Sequence, residues 1–181
     1  MESERLSRIF DRVGERSHGV VLQVVDGATV EFLTPPNQDD HFCVIKGTIP
    51  PGGVVPLHSH DDTEDFLVMS GSKEALIQGP GGLEWRRVNA GDYVHIESGA
   101  PHAWRNDTSE PVTDLIVTTK RMGEFFLETT RPTRAPGAPS PEYLARMAAV
   151  AATYGYWLAS PEENAAVGIE LPALAGGAAA A

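Results

Sequence analysis

Cysteine is almost missing from this chain. Cys43 is the only one among 181 residues, so no disulfide can form within it, which suits a reducing compartment and makes the cytoplasm the expected location. Basic residues are also scarce: 14 Lys and Arg stand against 25 Asp and Glu, for a net charge of −11. That balance speaks against nucleic acid and against anionic membrane surfaces, both of which need a basic footprint. No run of apolar residues is long enough for a membrane-spanning helix, and the opening MESERLSRIFDRV has mixed charge with no apolar signal-peptide core. What is present, 41% hydrophobic and 22% charged residues, suits one soluble domain with a sizeable core.

The texture changes along the chain. In residues 1–19, Leu6, Ile9, Phe10 and Val13 recur at helical spacing before Gly14, which predicts a short amphipathic arm that packs on something else. From about residue 20 to 130, short runs rich in Val, Ile, Phe and Thr alternate with Gly, Pro, Asn and Asp. VVLQVVDGATVEFL reads as a hairpin turning at Asp26-Gly27. HFCVIKGTI, EDFLVM, SKEALIQ, LEWRRV, DYVHIE and VTDLIVTTK are further strands. Many short strands at close spacing indicate an antiparallel sandwich or barrel. Residues 131–174 begin with RPTRAPGAPSP, a connector expected not to pair in a sheet. A helix follows, capped by Ser140 and Pro141, with Leu144, Met147, Ala148 and Ala151 as its apolar stripe and Gly155 as its stop. Such a helix packs on the barrel or on a partner subunit. Residues 175–181 are low-complexity and read as a disordered tail.

Chemistry concentrates in PLHSHDDTEDFLVMSG, residues 56–71. Side chains two apart on a strand share a face, so His58 and His60 project together. Glu64 has the same parity beyond the turn at DDT, and Phe66 and Val68 continue that face into an apolar interior. Two imidazoles and a carboxylate converging there need a partner for the buried charge, and a divalent cation supplies one. A second segment, GDYVHIESGAPHAWRN, residues 91–106, brings His102 to the start of another strand. Spacing alone leaves open whether His102 reaches the other three.

These residues resemble the cupins. Gly52, His58, His60, Glu64 and Gly71 fit the first cupin motif, G-x5-H-x-H-x3-E-x6-G, and Gly91, Gly99, His102 and Asn106 fit the second, G-x5-P-x-G-x2-H-x3-N. The departure is Glu97, which stands where the pattern has proline and leaves the geometry of that loop in question. The resemblance implies an all-β double-stranded β-helix (jelly-roll) barrel with a short N-terminal and a C-terminal helix. It also implies one divalent transition metal inside, held by His58, His60, Glu64 and His102. Mixed imidazole and carboxylate ligation suits Fe, Ni, Mn, Co or Zn without choosing among them.

Phe66, Val68 and Trp104 share parity with the ligands and are candidates for the wall of a substrate pocket, core packing being the competing reading. His95 and Tyr93 share a parity on their strand and are candidates for the same pocket, against half-exposed packing. His41 and Cys43 read as inward-facing, with Cys43 a buried small hydrophobe. Asp61, Asp62 and Asp65 read as a solvated rim, and Lys73, Arg86 and Arg87 as surface residues.

The implied function is a metal-dependent dioxygenase that activates a small enolic or phenolic substrate, with Glu64 as base as well as ligand. The C-terminal stretch RPTRAPGAPSPEYLARMAAVAATYGYWL is similar to the extension of quercetin-dioxygenase-like single cupins, which favours that class by analogy. The alternatives are an isomerase, lyase or cyclase using the ion as a Lewis acid, and a small-molecule-binding module without catalysis. The expected partners are a small-molecule substrate, dioxygen and a second copy in a homodimer.

Overall fold

A computed structural model describes residues 21–24, 27–34, 36, 40–132 and 140–171. The expected N-terminal arm, Asp26, most of the Pro-rich connector and the alanine-rich tail lie outside the described residues.

Alternating apolar and polar residues build two antiparallel sheets, as the short strand runs predict. In chain order the strands are β1 (Val21–Gln23), β2 (Thr29–Thr34), β3 (Phe42–Ile49), β4 (Val54–Ser59), β5 (Glu64–Ser70), β6 (Ser72–Gly79), β7 (Gly82–Asn89), β8 (Tyr93–Ile96), β9 (His102–Arg105), β10 (Val112–Thr119), β11 (Arg131–Pro132) and β12 (Trp157–Leu158). One sheet runs β11-β1-β2-β3-β10-β5-β8 and the other β12-β4-β9-β6-β7. β3 and β10 show the period of two most clearly. Cys43, Ile45, Ile49, Val112 and Ile116 point inward and join Val30, Phe66, Val68, Ala75, Val94, Ile96 and Trp104 in the core between the sheets.

Among the described residues, three helices lie outside the barrel: α1 (Lys120–Thr129), α2 (Pro141–Thr153) and α3 (Pro161–Ala166). α2 starts as predicted, with Ser140 accepting from the Tyr143 N–H and Pro141 in the first turn. Its stripe is shifted, because Ala148 is exposed while Tyr143, Leu144, Met147, Val150 and Ala151 are wholly or partly covered. α2 packs on α1, a helix that the sequence analysis does not predict. Gly123 allows α1 to lie on the barrel, since a Cβ there would stand 2.6 Å from Pro36 Cγ and 2.9 Å from Cys43 Sγ.

The connector corrects one expectation: Pro132 does pair, opposite Leu22. It does so on an edge strand, where a missing N–H is tolerated. Beyond α2 the chain returns to the smaller sheet. β12 pairs with β4, the Asn164 side chain accepts from the Leu57 N–H at 2.9 Å, and Ile169 packs on Leu57, Leu76 and Ala103. This segment covers an edge and a back face that would otherwise expose β4. Among the described residues no helix is long and apolar enough to cross a membrane.

Candidate metal centre

β4, the turn after it, β5 and β9 bring four side chains to one end of the barrel interior. His58 lies directly opposite His102 in the β4–β9 register, so the two rings share a face and stand 4.2 Å apart between centroids. His60 follows β4, and its ring is 5.1 Å from that of His102. Glu64 opens β5. Its Oε2 is 3.3 Å from both His60 Nε2 and His102 Nε2. The turn that delivers His102 is pinned to the same layer, because the Gly99 N–H donates to the His60 carbonyl at 2.7 Å. Gly99 takes φ 77°, a conformation that favours glycine. Glu97 occupies this turn with its carboxylate exposed, and its carbonyl accepts from the Ala100 N–H at 3.0 Å.

Backbone carbonyls fix the tautomer of all three imidazoles. His58 Nδ1 lies 2.7 Å from the Pro56 oxygen, His60 Nδ1 2.8 Å from that of Asp62, and His102 Nδ1 2.9 Å from that of Ala100. A carbonyl only accepts, so each Nδ1–H donates and each Nε2 keeps a lone pair. The ligand-capable nitrogens of His58, His60 and His102 fall within 4.8 Å of one another, a group that can hold a metal ion. Nε2 of His60 and of His102 is buried without a hydrogen-bond partner, aligned bonds to Glu64 being absent despite the short distances. Buried acceptors beside a carboxylate are the environment that a cation satisfies, and the outer carbonyls are the supports that metal-ligating histidines use.

The electrostatics agree. Burial, followed by the neighbouring His102 and His60, pushes the His58 imidazole down to about 3. Burial would raise the Glu64 carboxyl, yet the adjoining His102 and His60 outweigh it and hold the group far below the usual carboxylate range. His60 is pulled down by burial and pushed up further by Glu64, with a net rise. The cluster therefore attracts positive charge, whether a proton or a metal ion.

The expected pocket residues divide. Phe66, Val68 and Trp104 do face inward and are buried. Phe66 packs on Trp104 at 4.5 Å between ring centroids, and Trp104 sits edge-on to His102 at 6.3 Å. Tyr93 and His95 do not face the cluster. Both lie on the outer side of β8, exposed, and both contact the Asp65 carboxylate, at 2.5 and 2.6 Å. The inward positions of β8 belong to Val94 and Ile96.

Three other expectations are corrected. His41 precedes β3 and is exposed, although Cys43 is buried as expected. Asp62 is no solvated rim residue: it is 3% exposed and takes hydrogen bonds from Tyr156, Arg121 and Thr119. Asp61 and the side chain of Asp65 are exposed, as expected, with Asp65 bonded to Tyr93 and His95. Lys73 is fully buried inside the barrel, with Nζ 2.6 Å from Asp114 Oδ2 and 3.7 Å from the centroid of the Trp104 ring. The reading missed Asp114 and the aromatic Tyr156, which lies 5.2 Å from the His60 ring.

A two-sheet antiparallel barrel with a histidine cluster between its sheets defines the class, and comparison with known proteins finds a family model that matches part of the chain. Residues 45–118 match the Cupin_2 family model, the cupin domain. The barrel has the double-stranded β-helix fold, and the match covers its central strands. The polyketide cyclase RemF from Streptomyces resistomycificus is 22% identical, with a TM-score of 0.53 over 72% of this chain and 94% of that one. The Cupin_2 domain of an XRE family transcriptional regulator from Enterobacter cloacae is 27% identical over 50% of this chain and 94% of that one, with a TM-score of 0.43. A predicted oxalate decarboxylase from Thermotoga maritima is 22% identical over 57% of this chain and 96% of that one, with a TM-score of 0.48. Among curated protein sequences none matches the chain significantly.

Proposed function

We propose that the chain is a metal-dependent enzyme acting on a small enolic or phenolic molecule, with dioxygen as co-substrate. The observation that carries the metal-dependent part is the convergence of three Nε2 lone pairs with the Glu64 carboxylate, two of those nitrogens being buried and unpartnered. His58, His60, His102 and Glu64 would hold the ion. When bound, it supplies Lewis acidity toward a substrate oxygen and, where redox-active, electron exchange with dioxygen. Trp104 and Phe66 close the apolar side of the site and keep water from that face. Glu64 is the base that takes the substrate's hydroxyl proton once it is released from the contacts with His102 and His60 that hold its carboxyl low. The dioxygen part rests on the resemblance of the C-terminal extension to quercetin-dioxygenase-like single cupins.

Dioxygen consumption by metal-loaded protein, measured with a panel of enols and catechols, tests this reading. Substrate-dependent uptake that stops on metal removal is the expected result. Turnover that proceeds equally without dioxygen would transfer the chain to the isomerase, lyase or cyclase class. Glu64→Gln should keep part of the metal while turnover falls roughly 10²-fold, the usual scale for losing a general base. Full activity per bound ion in that variant would remove Glu64 from the proton transfer.

A further inference from the structure

Tyr156 lies far outside the matched cupin stretch, yet it reaches the candidate metal centre. Its hydroxyl donates to Asp62 Oδ2 at 2.5 Å, and its ring is 5.2 Å from the ring of His60. Asp62 is bonded through both its backbone and its side chain, toward different elements. Its backbone carbonyl accepts the His60 Nδ1–H, while its buried carboxylate is gripped by Tyr156, by Arg121 Nη1 at 2.9 Å and by the Thr119 hydroxyl. Thr119 is also the N-cap of α1, accepting from the Met122 N–H at 3.1 Å. Arg121 in turn donates to the Tyr154 carbonyl. The segment after α2 is thereby tied to the residue that orients one histidine of the cluster. β12 adds a second tie immediately beside that histidine, since Trp157 pairs with Ser59 and Leu158 with His58.

We infer that Tyr156 is a positioning residue of the metal centre: acting through Asp62, it fixes the ring of His60, so that the C-terminal segment sets how tightly the centre holds its ion. The inference rests on the metal-holding reading above. Its physical basis is the way ligating imidazoles depend on the acceptor of their other ring N–H. Here that acceptor is the carbonyl of a residue whose own side chain is held on three sides. Removing the Tyr156 hydroxyl leaves a buried carboxylate with fewer donors, and the strand of contacts that holds its backbone loosens. The neighbouring Tyr154 provides a matched control, because its hydroxyl donates to Glu128 on the exposed side, away from Asp62.

The test compares the full-length wild type with Tyr156→Phe and Tyr154→Phe in two measurements. Cobalt(II) titration followed by absorption gives metal affinity. Nitrogen-15 histidine labelling gives the state of the three Nδ1–H groups in the metal-free protein. Tyr156→Phe keeps the ring and its packing, and should weaken cobalt binding about tenfold, at the lower end of what outer contacts of metal ligands contribute. The His60 Nδ1–H should shift and exchange faster while those of His58 and His102 stay in place. Tyr154→Phe should match the wild type in both. Unchanged cobalt affinity in Tyr156→Phe, or equal movement of all three Nδ1–H signals, overturns the inference while leaving the metal reading intact. A wild type that takes up no cobalt overturns both.

Discussion

At one end of the barrel interior, His58, His60, His102 and Glu64 gather three nitrogen lone pairs and a carboxylate with no cationic side chain among them. Farther along the interior, Lys73 on β6 and Asp114 on β10 meet at 2.6 Å, with the Lys73 ammonium also over the Trp104 face. Asp114 lies four positions before Thr118, the β10 residue opposite Glu64, so the clusters are separated by roughly 13 Å of strand. Trp104 and Phe66 stand near both, since Lys73 Nζ is 4.9 Å from the Phe66 ring. Both clusters are buried and polar, and they differ in closure. The Lys73–Asp114 pair brings its own countercharge, so its charge is met within the pair even though Asp114 Oδ1 has no hydrogen-bond partner. The histidine cluster leaves its acceptors open and is arranged to receive a cation. Burial alone therefore does not mark a functional site; an unmet demand for charge does.

The largest effect should come from breaking the closed pair. Lys73→Met leaves a carboxylate buried alone and should cost about 3–5 kcal/mol of stability, whereas Lys73→Met with Asp114→Leu should recover most of it. Urea denaturation measures both. Metal bound per folded chain should be unchanged in the double variant. A loss of metal there would show that the two clusters are coupled through Trp104.

A second, intermediate effect sharpens the contrast by pH. Glu64 raises His60 above its ordinary 6.5, against the pull of burial. Protons therefore compete for the open cluster: cobalt affinity should be full well above that raised value and fall as pH drops through it, with protons released on binding. Titrations across pH with isothermal calorimetry check the sign. Affinity that is flat from neutral pH down through 6.5 would contradict the placement of Glu64 beside His60.

The smallest effect belongs to the outer face of β8. Tyr93→Phe and His95→Gln should leave metal content and turnover unchanged, as both side chains sit outside the barrel. Hydrogen bonds from Tyr93 and then His95 hold Asp65 below its ordinary 3.8. A depressed carboxyl stabilises the fold above its unfolded value and loses that contribution as pH falls through the folded one. Any stability difference between wild type and Tyr93→Phe should thus vanish in strong acid, as thermal denaturation across pH will show.

How much of this was legible in the sequence depended on how local its cause is. The period of two put His58, His60, Glu64, Phe66 and Val68 on one face, and the β-rich texture gave the two-sheet fold. His102 required the motif resemblance, because its meeting with His58 is a matter of register between β4 and β9. Lys73 was misread since its partner Asp114 is 41 residues away and neighbouring Glu74 makes the local parity ambiguous. α1 was hidden because VTDLIVTTKRM passes from strand to helix without glycine or proline, and the Thr119 cap was its only local mark. Two further local signals stand in the sequence. Val94 and Ile96 alternate as inward residues, which already places Tyr93 and His95 outside. Ser160 and Glu163 form a capping box, which announces α3 and with it the segment that brings Tyr156 to the site.

Metal stoichiometry tests the central claim most directly. The full-length protein, stripped with chelator, dialysed against a single divalent transition metal and analysed by plasma mass spectrometry, should carry about one ion per chain. His102→Ala, folded by circular dichroism, should carry almost none, because losing that ligand opens the set of four. Full metal content in His102→Ala, or none in the wild type with any of iron, nickel, manganese, cobalt or zinc, would contradict the account.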